Sequence, residues 1–192
     1  MLHVDLPDTP YMDAVLEILR RIDGTIPENF RGTVTAYLLG GAAVHIHTGW
    51  RVSKDVDATF SHRILMPQSL SVRYDDDGIH RTVRFDNNFT AVIALLHPDW
   101  EKDAIPLGTV GRFALQVITP TDLAVSKVGR FAGNDADDIR ELALAGRLDA
   151  DAVKARCLEA LDFYVGDTTM VMHNLADALD VIRAAVAMRE QG

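Results

Sequence analysis

The chain has 192 residues, 48% of them hydrophobic and 24% charged, which is the balance of a globular protein with one substantial core. Its formal net charge of −9 argues against a protein that coats nucleic acid by releasing counterions, although a local basic patch is compatible with that charge. The single cysteine, Cys157, excludes an intrachain disulfide and a cysteine-rich zinc site. Because the chain has neither a signal-like N-terminus nor an apolar run of roughly 18 residues, we expect a cytoplasmic protein with no membrane partner.

The N-terminal part of the chain predicts helices and strands around a glycine pair. The predicted elements are a helix from Thr9-Pro10 to Ile22, a strand from Val34 to Leu39 that enters Gly40-Gly41, a weak helix from Ala42 to Thr48, and a strand from Asp55 to Phe60. After Pro67 the pattern is typical of β structure. Strands are predicted over Leu70–Tyr74, Ile79–Phe85, Phe89–Leu96 and Phe113–Ile118, the first two joined by a hairpin turn at Asp75–Gly78.

From Thr119 onward every pattern is helical. Helices are predicted over Thr121–Phe131, Asp135–Leu144, Asp149–Tyr164 and Thr168–Met188, and the last two carry one apolar stripe each. Strands followed by a run of helices indicate an α+β fold: a mixed sheet with flanking helices and a C-terminal helical portion. We divide the chain into a core over residues 1–118 and a helical portion over 119–192.

Two carboxylates are predicted on one face of the strand from Asp55 to Phe60. Alternation along the strand places Asp55 and Asp57 together, with Val56 and Ala58 on the opposite face. Two close carboxylates repel each other unless a cation lies between them. Mg²⁺ is the natural guest, because it takes one or two carboxylates together with phosphate oxygens. The sequence therefore predicts Asp55 and Asp57 as catalytic, metal-binding residues for a nucleotide substrate.

Gly40 and Gly41 are predicted to approach a phosphate. Between a strand and a helix, the missing side chains let backbone N–H groups reach the anion, with the helix dipole assisting. Ser53 adds a hydroxyl donor for the same phosphate. Taken singly, a tight turn explains Gly-Gly and a solvated strand face explains Asp-x-Asp, but the two motifs at this spacing favour a nucleotide site.

These motifs resemble the signature of the nucleotidyltransferase superfamily, in which a glycine pair and a helix precede Asp-hydrophobic-Asp. The run from Gly40-Gly41 through Ser53, Asp55 and Asp57 is most similar to small bacterial proteins of the AbiEii type. The stretch from Ile118 to Val128 resembles the third motif of those proteins, which implies that Lys127 binds the triphosphate. The stretch from Asp135 to Ile139 resembles their fourth motif, an acid-rich helix start, and adds Asp138 as a further candidate for a catalytic acid.

The resemblance implies Mg²⁺-dependent transfer of a nucleotidyl group from an NTP to an acceptor such as tRNA, by the toxin of a toxin–antitoxin pair. Many members have a third carboxylate on a later strand. The corresponding strand here should be the one predicted from Phe89 to Leu96, and it contains no Asp or Glu. Asp86 and Asp99 lie just outside its ends and are the substitutes. A one-metal enzyme, or a member that binds nucleotide or an antitoxin protein without catalysis, stays open. The interpretation as a metal-dependent phosphohydrolase has less support, because no set of His and Asp residues has the spacing of such a site.

Other conspicuous residues have structural interpretations. His45 and His47 point in different directions on a helix and so do not form a metal pair. Trp100 is predicted to close the core, and Cys157 to be buried and inert on an apolar helix face. Asp135 is predicted to cap the helix that follows it.

Overall fold

The computed structural model describes residues 4–67, 69–88 and 94–191. The first of two compact units takes its described residues from Met1–Phe89 and Ala104–Val117, and the second from Thr90–Asp103 and Ile118–Gly192. The elements of the first unit are α1 (Pro10–Asp23), β1 (Val34–Leu38), α2 (Gly40–Thr48), β2 (Asp55–Val56), β3 (Ala58–Phe60), β4 (Ser71–Asp76), β5 (Ile79–Phe85), β6 (Ile105–Val110) and β7 (Phe113–Val117). Those of the second unit are α3 (Trp100–Asp103), α4 (Pro120–Val128), α5 (Asp135–Leu144), α6 (Ala150–Leu161) and α7 (Thr168–Gln191). The predicted α+β class is confirmed, and the division at residue 118 stays a prediction.

Two mixed sheets form the first unit. One has the strand order β3-β1-β7-β6, with β1 parallel to β7 and antiparallel to β3. The other has the order β2-β5-β4, with β2 parallel to β5. The single strand predicted from Asp55 to Phe60 is therefore wrong: β2 and β3 are separate strands, because the pairing partner of the chain changes at Asp57.

The predicted hairpin between β4 and β5 is confirmed, although β4 extends to Asp76. Asp77 and Gly78 form the two-residue turn and both have positive φ, 52° and 81°. Two-residue hairpin turns with positive φ at both positions match the right-handed twist of the strands. The Asp75 carboxylate accepts the Gly78 N–H at 2.7 Å and stabilises the turn. One face of the hairpin packs on the apolar face of α1, and Arg21 of that helix donates to the Ser71 carbonyl at 3.1 Å.

Sequence reasoning missed β6, and the reason is a bulge. Pro106 and Gly108 read as loop residues, yet β6 is an edge strand whose register with β7 shifts between these two residues, where Gly108 has φ +114°. Proline and glycine are tolerated at edges and bulges. Most of the strand predicted over Phe89–Leu96 lies outside the described residues, and Ala94–Leu96 are not in a strand.

Four helices, α4 to α7, make up most of the second unit and correspond to the four predicted ones. Helix α4 ends at Val128, earlier than predicted, and is followed by Phe131 with φ +45°. Buried residues of α6 and α7 pack on each other and on α4 and α5. None of the helices in the described ranges is both long and apolar enough to cross a membrane.

Candidate nucleotide-binding site

Gly40 lies in direct contact with the Asp57 carboxylate. The residue has φ +52°, and a Cβ at this position would overlap Oδ2 of Asp57 and lie 2.7 Å from its Cγ. The backbone is tied together at the same point, because Leu39 N–H donates to the Asp57 carbonyl at 2.9 Å. Leu39, the N-cap of α2, supplies no side-chain cap. Glycine therefore admits the Asp57 carboxylate to the N-terminal end of α2.

Gly41 makes an equally close contact with Ser53. A Cβ at Gly41 would lie 2.5 Å from Ser53 Cβ and 2.7 Å from Ser53 Oγ, with the Arg51 guanidinium Nη1 at 3.6 Å. Ser53 Oγ also accepts the Asp55 N–H at 3.3 Å. The structure thus brings together four predicted site residues, Gly40, Gly41, Ser53 and Asp57, at the start of one helix. Arg51, to which no site role was assigned from the sequence, adds positive charge there.

Asp55 is the exposed member of the carboxylate pair. It lines a surface cavity of about 630 Å³ that Ser53 also lines. Asp57 is half-buried, while Val56 and Ala58 are buried, so the predicted alternation of polar and apolar residues is retained across the break between β2 and β3. Asp57 therefore lies at the N-terminal end of α2, and Asp55 lies at the cavity.

Of the two substitute acids, Asp86 is placed beside the pair by strand register. Asp55 pairs with Arg84 and Val56 with Phe85, and Asp86 N–H donates to the Val56 carbonyl at 3.1 Å. Continuing that register puts Asp86 next to Asp57. Its carboxylate accepts the Asn88 N–H at 2.8 Å.

Asp99 belongs to the second compact unit. Its carboxylate pairs with Lys102 at 2.5 Å. The hydrogen bond from Lys102 lowers the pKa of Asp99. Asp99 is therefore already engaged by a cation of its own helical turn.

The donor set suits a Mg²⁺ ion that arrives with a nucleotide. Within the described residues no three His, Cys, Asp or Glu side chains form a group that holds a metal ion by itself. Mg²⁺ does not need such a cage, because it commonly takes one or two carboxylates and completes its octahedron with water and phosphate oxygens. Asp55 and Asp57 are carboxylates of the kind that Mg²⁺ takes, and the Asp57 carboxylate fills the space that Gly40 leaves.

Behind the site, a buried histidine connects three segments of the first unit. His45 Nε2 lies 3.0 Å from Thr9 Oγ1, and His45 Nδ1 lies 3.0 Å from the Arg51 carbonyl. Burial lowers the pKa of His45, so the neutral ring joins the start of α1 to the loop that carries Ser53. The Tyr11 ring packs edge-on against His45 at 4.9 Å, and burial raises the pKa of Tyr11. No sequence signal indicates this network, because its members are distant in the chain: Thr9 and His45, for example, are 36 residues apart.

Lys127 and Asp138, the other predicted site residues, form a buried ion cluster in the second unit. Lys127 Nζ lies 2.6 Å from Asp138 Oδ2 and 3.3 Å from Asp135 Oδ1. Asp135 also binds Arg130 and the Ala132 N–H. The predicted capping role of Asp135 is wrong: Asn134 is the N-cap of α5, because Asp135 is the first helical residue and its carboxylate is used by these cations. The triphosphate role of Lys127 stays a prediction.

The fold and the glycine–carboxylate contacts define a nucleotidyltransferase-like protein. The family model described as "Nucleotidyltransferase of unknown function (DUF6036)" matches residues 17–184, and the chain belongs to this family. The predicted superfamily and a general role in nucleotidyl transfer are thereby supported. Comparison with curated proteins and with solved structures gives no match. The narrower AbiEii resemblance stays a prediction.

Proposed function

We propose that this protein is a Mg²⁺-dependent nucleotidyltransferase that moves a nucleotidyl group from an NTP to a hydroxyl acceptor. The observation that carries the proposal is the seating of Asp57 against Gly40 and of Ser53 against Gly41. This chemistry needs donors for phosphate and carboxylates for a metal; Gly40, Gly41, Ser53 and Asp57 meet at the N-terminal end of α2, and Asp55 lines the cavity that Ser53 also lines. The family membership supports the same reaction class.

Each residue has a role in the proposal that follows from its chemistry. The N–H groups at Gly40 and Gly41, the dipole of α2 and the Ser53 hydroxyl bind phosphate oxygens. Asp55 and Asp57 would hold Mg²⁺, which when bound neutralises phosphate charge and stabilises the attacking and leaving oxygens. By resemblance, Lys127 would bind the triphosphate. Its ammonium group would then leave the Asp135 and Asp138 carboxylates, with which it is paired, and contact phosphate oxygens instead.

The transfer is a substitution at the α-phosphorus. The acceptor hydroxyl oxygen forms a bond to this phosphorus while the bond to the bridging oxygen breaks, and pyrophosphate leaves with the electron pair. The hydroxyl proton passes to a carboxylate, for which Asp86 is the candidate because its N–H donates to the carbonyl of Val56, the residue between Asp55 and Asp57. From the AbiEii resemblance we further propose tRNA as an acceptor and an antitoxin protein as a partner, in a cytoplasmic toxin–antitoxin pair.

A second candidate is a non-catalytic member that binds nucleotide or a partner protein at the same residues. The observation in its favour is that no group of three metal-binding side chains occurs in the described residues. The two candidates differ in one measurable property. The enzyme transfers label from an NTP to a macromolecule, and the binding module does not.

The test uses Asp57→Asn, with Asp13→Asn as the matched control. Asparagine keeps the size and shape of aspartate, so the fold is preserved while the charge needed by Mg²⁺ is lost. Asp13 is an exposed acid in the first turn of α1, outside the site. We expect label transfer from radioactive NTPs to cell RNA or protein in the native chain and Asp13→Asn, and none in Asp57→Asn. Nucleotide binding without transfer to any acceptor would favour the second candidate.

A further inference from the structure

The cavity beside Asp55 has a composition that the nucleotide site does not explain. Its lining includes three cationic side chains, Lys54, Arg81 and Arg84, and one carboxylate, Asp55. The whole chain carries a formal charge of −9, so this excess of positive charge is local. Clefts of one charge sign concentrate ligands of the other. The cavity is therefore suited to an anion.

Two of the three cations are available to a ligand. Arg81 is engaged by Asp76, with Nε 2.8 Å from Oδ2. The exposed side chains of Lys54 and Arg84 form no ion pair within the described ranges. Arg84 is the Cα partner of Asp55 in the β2–β5 pair, and Arg73 lies on the same exposed face of the neighbouring β4. Because adjacent strands are about 4.8 Å apart, Arg84 and Arg73 carry positive charge about 10 Å across the sheet from Asp55. Arg73 lines a second cavity, which shares Tyr74 and Arg81 with the first.

The edge of β5 adds uncharged donors to the same cavity. Strand β2 covers only the end of β5, at Arg84 and Phe85. Phe85 N–H bonds to the Leu70 carbonyl on the β4 side, whereas Arg84 N–H bonds to the Lys54 carbonyl on the opposite side. By alternation, the Thr82 and His80 backbone groups point to that opposite side, where both residues line the cavity.

We propose that this cavity binds the acceptor, and that the acceptor is a single-stranded polynucleotide whose phosphates contact Lys54 and Arg84. The proposal rests on the proposed function, because an in-line substitution needs the acceptor on the side of the phosphorus away from the leaving pyrophosphate. Asp57 lies at the proposed phosphate site and Asp55 at the cavity, so the carboxylate pair joins the two.

The observations favour a polynucleotide over a peptide. A peptide that adds a strand to β5 needs a row of open backbone groups, and β5 offers only those at His80 and Thr82. Cations spread over about 10 Å match a ligand with several phosphates. The half-buried Tyr74 ring, which also lines the cavity, offers a face on which a base could stack.

The test is binding of a fluorescent 12-nucleotide single-stranded RNA, measured by anisotropy without NTP, in the full chain. Arg84→Ala and Lys54→Ala should each weaken RNA binding about fivefold or more and lower the slope of log K against log salt by about 1. Arg84→Lys should restore part of the loss. The control is Arg31→Ala, which removes an exposed cation before β1, at the end of that strand away from Gly40. It should change neither the RNA affinity nor the salt slope. DNA and peptide probes of equal length run alongside.

The outcomes separate this inference from the proposed function. Asp57→Asn should retain RNA binding while transfer is lost, and Mg²⁺–NTP affinity should be unchanged in Arg84→Ala. If Arg84→Ala weakens NTP binding and leaves RNA binding unchanged, the cavity holds the nucleotide and the inference is wrong. Tight peptide binding that Arg84→Ala abolishes, with no RNA binding, would overturn it as well. RNA binding that depends on Arg84, in a protein without transfer activity, would support the cavity assignment and contradict the enzyme.

Discussion

Carboxylates in the two compact units are stabilised in opposite ways. In the first unit, Asp57 is admitted by the absence of a side chain at Gly40, and Asp55 is exposed beside a cavity. In the second unit, Asp135 and Asp138 are buried and satisfied by Lys127 and Arg130. Both regions resemble motifs of one superfamily. Of these two groups of described carboxylates, the one in the first unit lies next to a cavity that a ligand can fill.

Residues that resemble a functional motif have different uses when their neighbours differ. A buried ion pair is costly to form and costly to break, and its groups are already used by each other. The carboxylates of the first unit lie beside a glycine and a cavity, where a ligand or a ligand-bound cation can approach them. The following predictions test whether the second unit's cluster is structural and the first unit's contacts are functional.

The largest effect is expected for Lys127→Met. Methionine keeps the length of the side chain but leaves Asp138 and Asp135 buried with less positive charge, so the free energy of unfolding should fall by about 3–5 kcal/mol. Urea denaturation followed by circular dichroism measures this change. Lys102→Met, which removes an exposed cation, is the control and should leave stability unchanged. Lys127→Met/Asp138→Asn should recover part of the loss. A Lys127→Met protein with native stability and weakened NTP binding would contradict a structural role of the cluster and favour the triphosphate role of Lys127.

The second prediction compares Gly40→Ala with Gly49→Ala. Both residues have positive φ, 52° and 69°, so each alanine costs about 1–2 kcal/mol of backbone strain. Only at Gly40 would the new Cβ meet an obstacle, the Asp57 carboxylate, while nothing lies within 4 Å at Gly49. We expect Gly40→Ala to be destabilised by a further 1 kcal/mol or more, about the cost of overpacking. Mg²⁺–NTP affinity, measured by titration calorimetry, should also fall only in Gly40→Ala.

The third prediction concerns acid sensitivity of the ion cluster. Burial acts to raise the pKa of Asp135, but the Arg130 hydrogen bond, the Ala132 N–H and Lys127 together lower it below its ordinary value. A carboxyl with a depressed pKa in the folded state stabilises the fold above its unfolded pKa of about 3.9, and this stability is lost as pH falls through the folded-state pKa. Native protein should therefore lose stability below about pH 4 more steeply than Asp135→Asn does. Parallel pH profiles for the two proteins would contradict this.

The smallest effect is expected at Cys157, as a reporter of the second unit. The thiol is buried on α6, and burial raises its pKa to about 11. At pH 8 the thiolate fraction is about one in a thousand, so the native thiol should be nearly unreactive to iodoacetamide. Lys127→Met should speed the labelling by opening the unit more often, whereas Lys102→Met should not. Rapid labelling of the native protein would show that this helix face is open.

The sequence predicted the local elements well because their signals are local. Periodicity identified α1 and the four helices after residue 118, and Asp77-Gly78 identified the hairpin turn. The glycine pair and Asp-x-Asp spacing indicated the nucleotidyltransferase class. By contrast, β6 was missed because its bulge places proline and glycine in a strand. β2 and β3 were predicted as one strand because a change of pairing partner does not alter the alternation of polar and apolar residues.

The sequence alone determined which residue types stand at the candidate site: two glycines, a serine and two aspartates at a spacing that suits phosphate and metal. Which residues surround them in space follows from the tertiary structure alone. It set Arg84 opposite Asp55, put Asp86 in line beside Asp57, and enclosed Lys127 between carboxylates. The physical reason is that strand register and burial are properties of pairing between distant segments, which cooperative packing chooses and which short-range patterns do not encode.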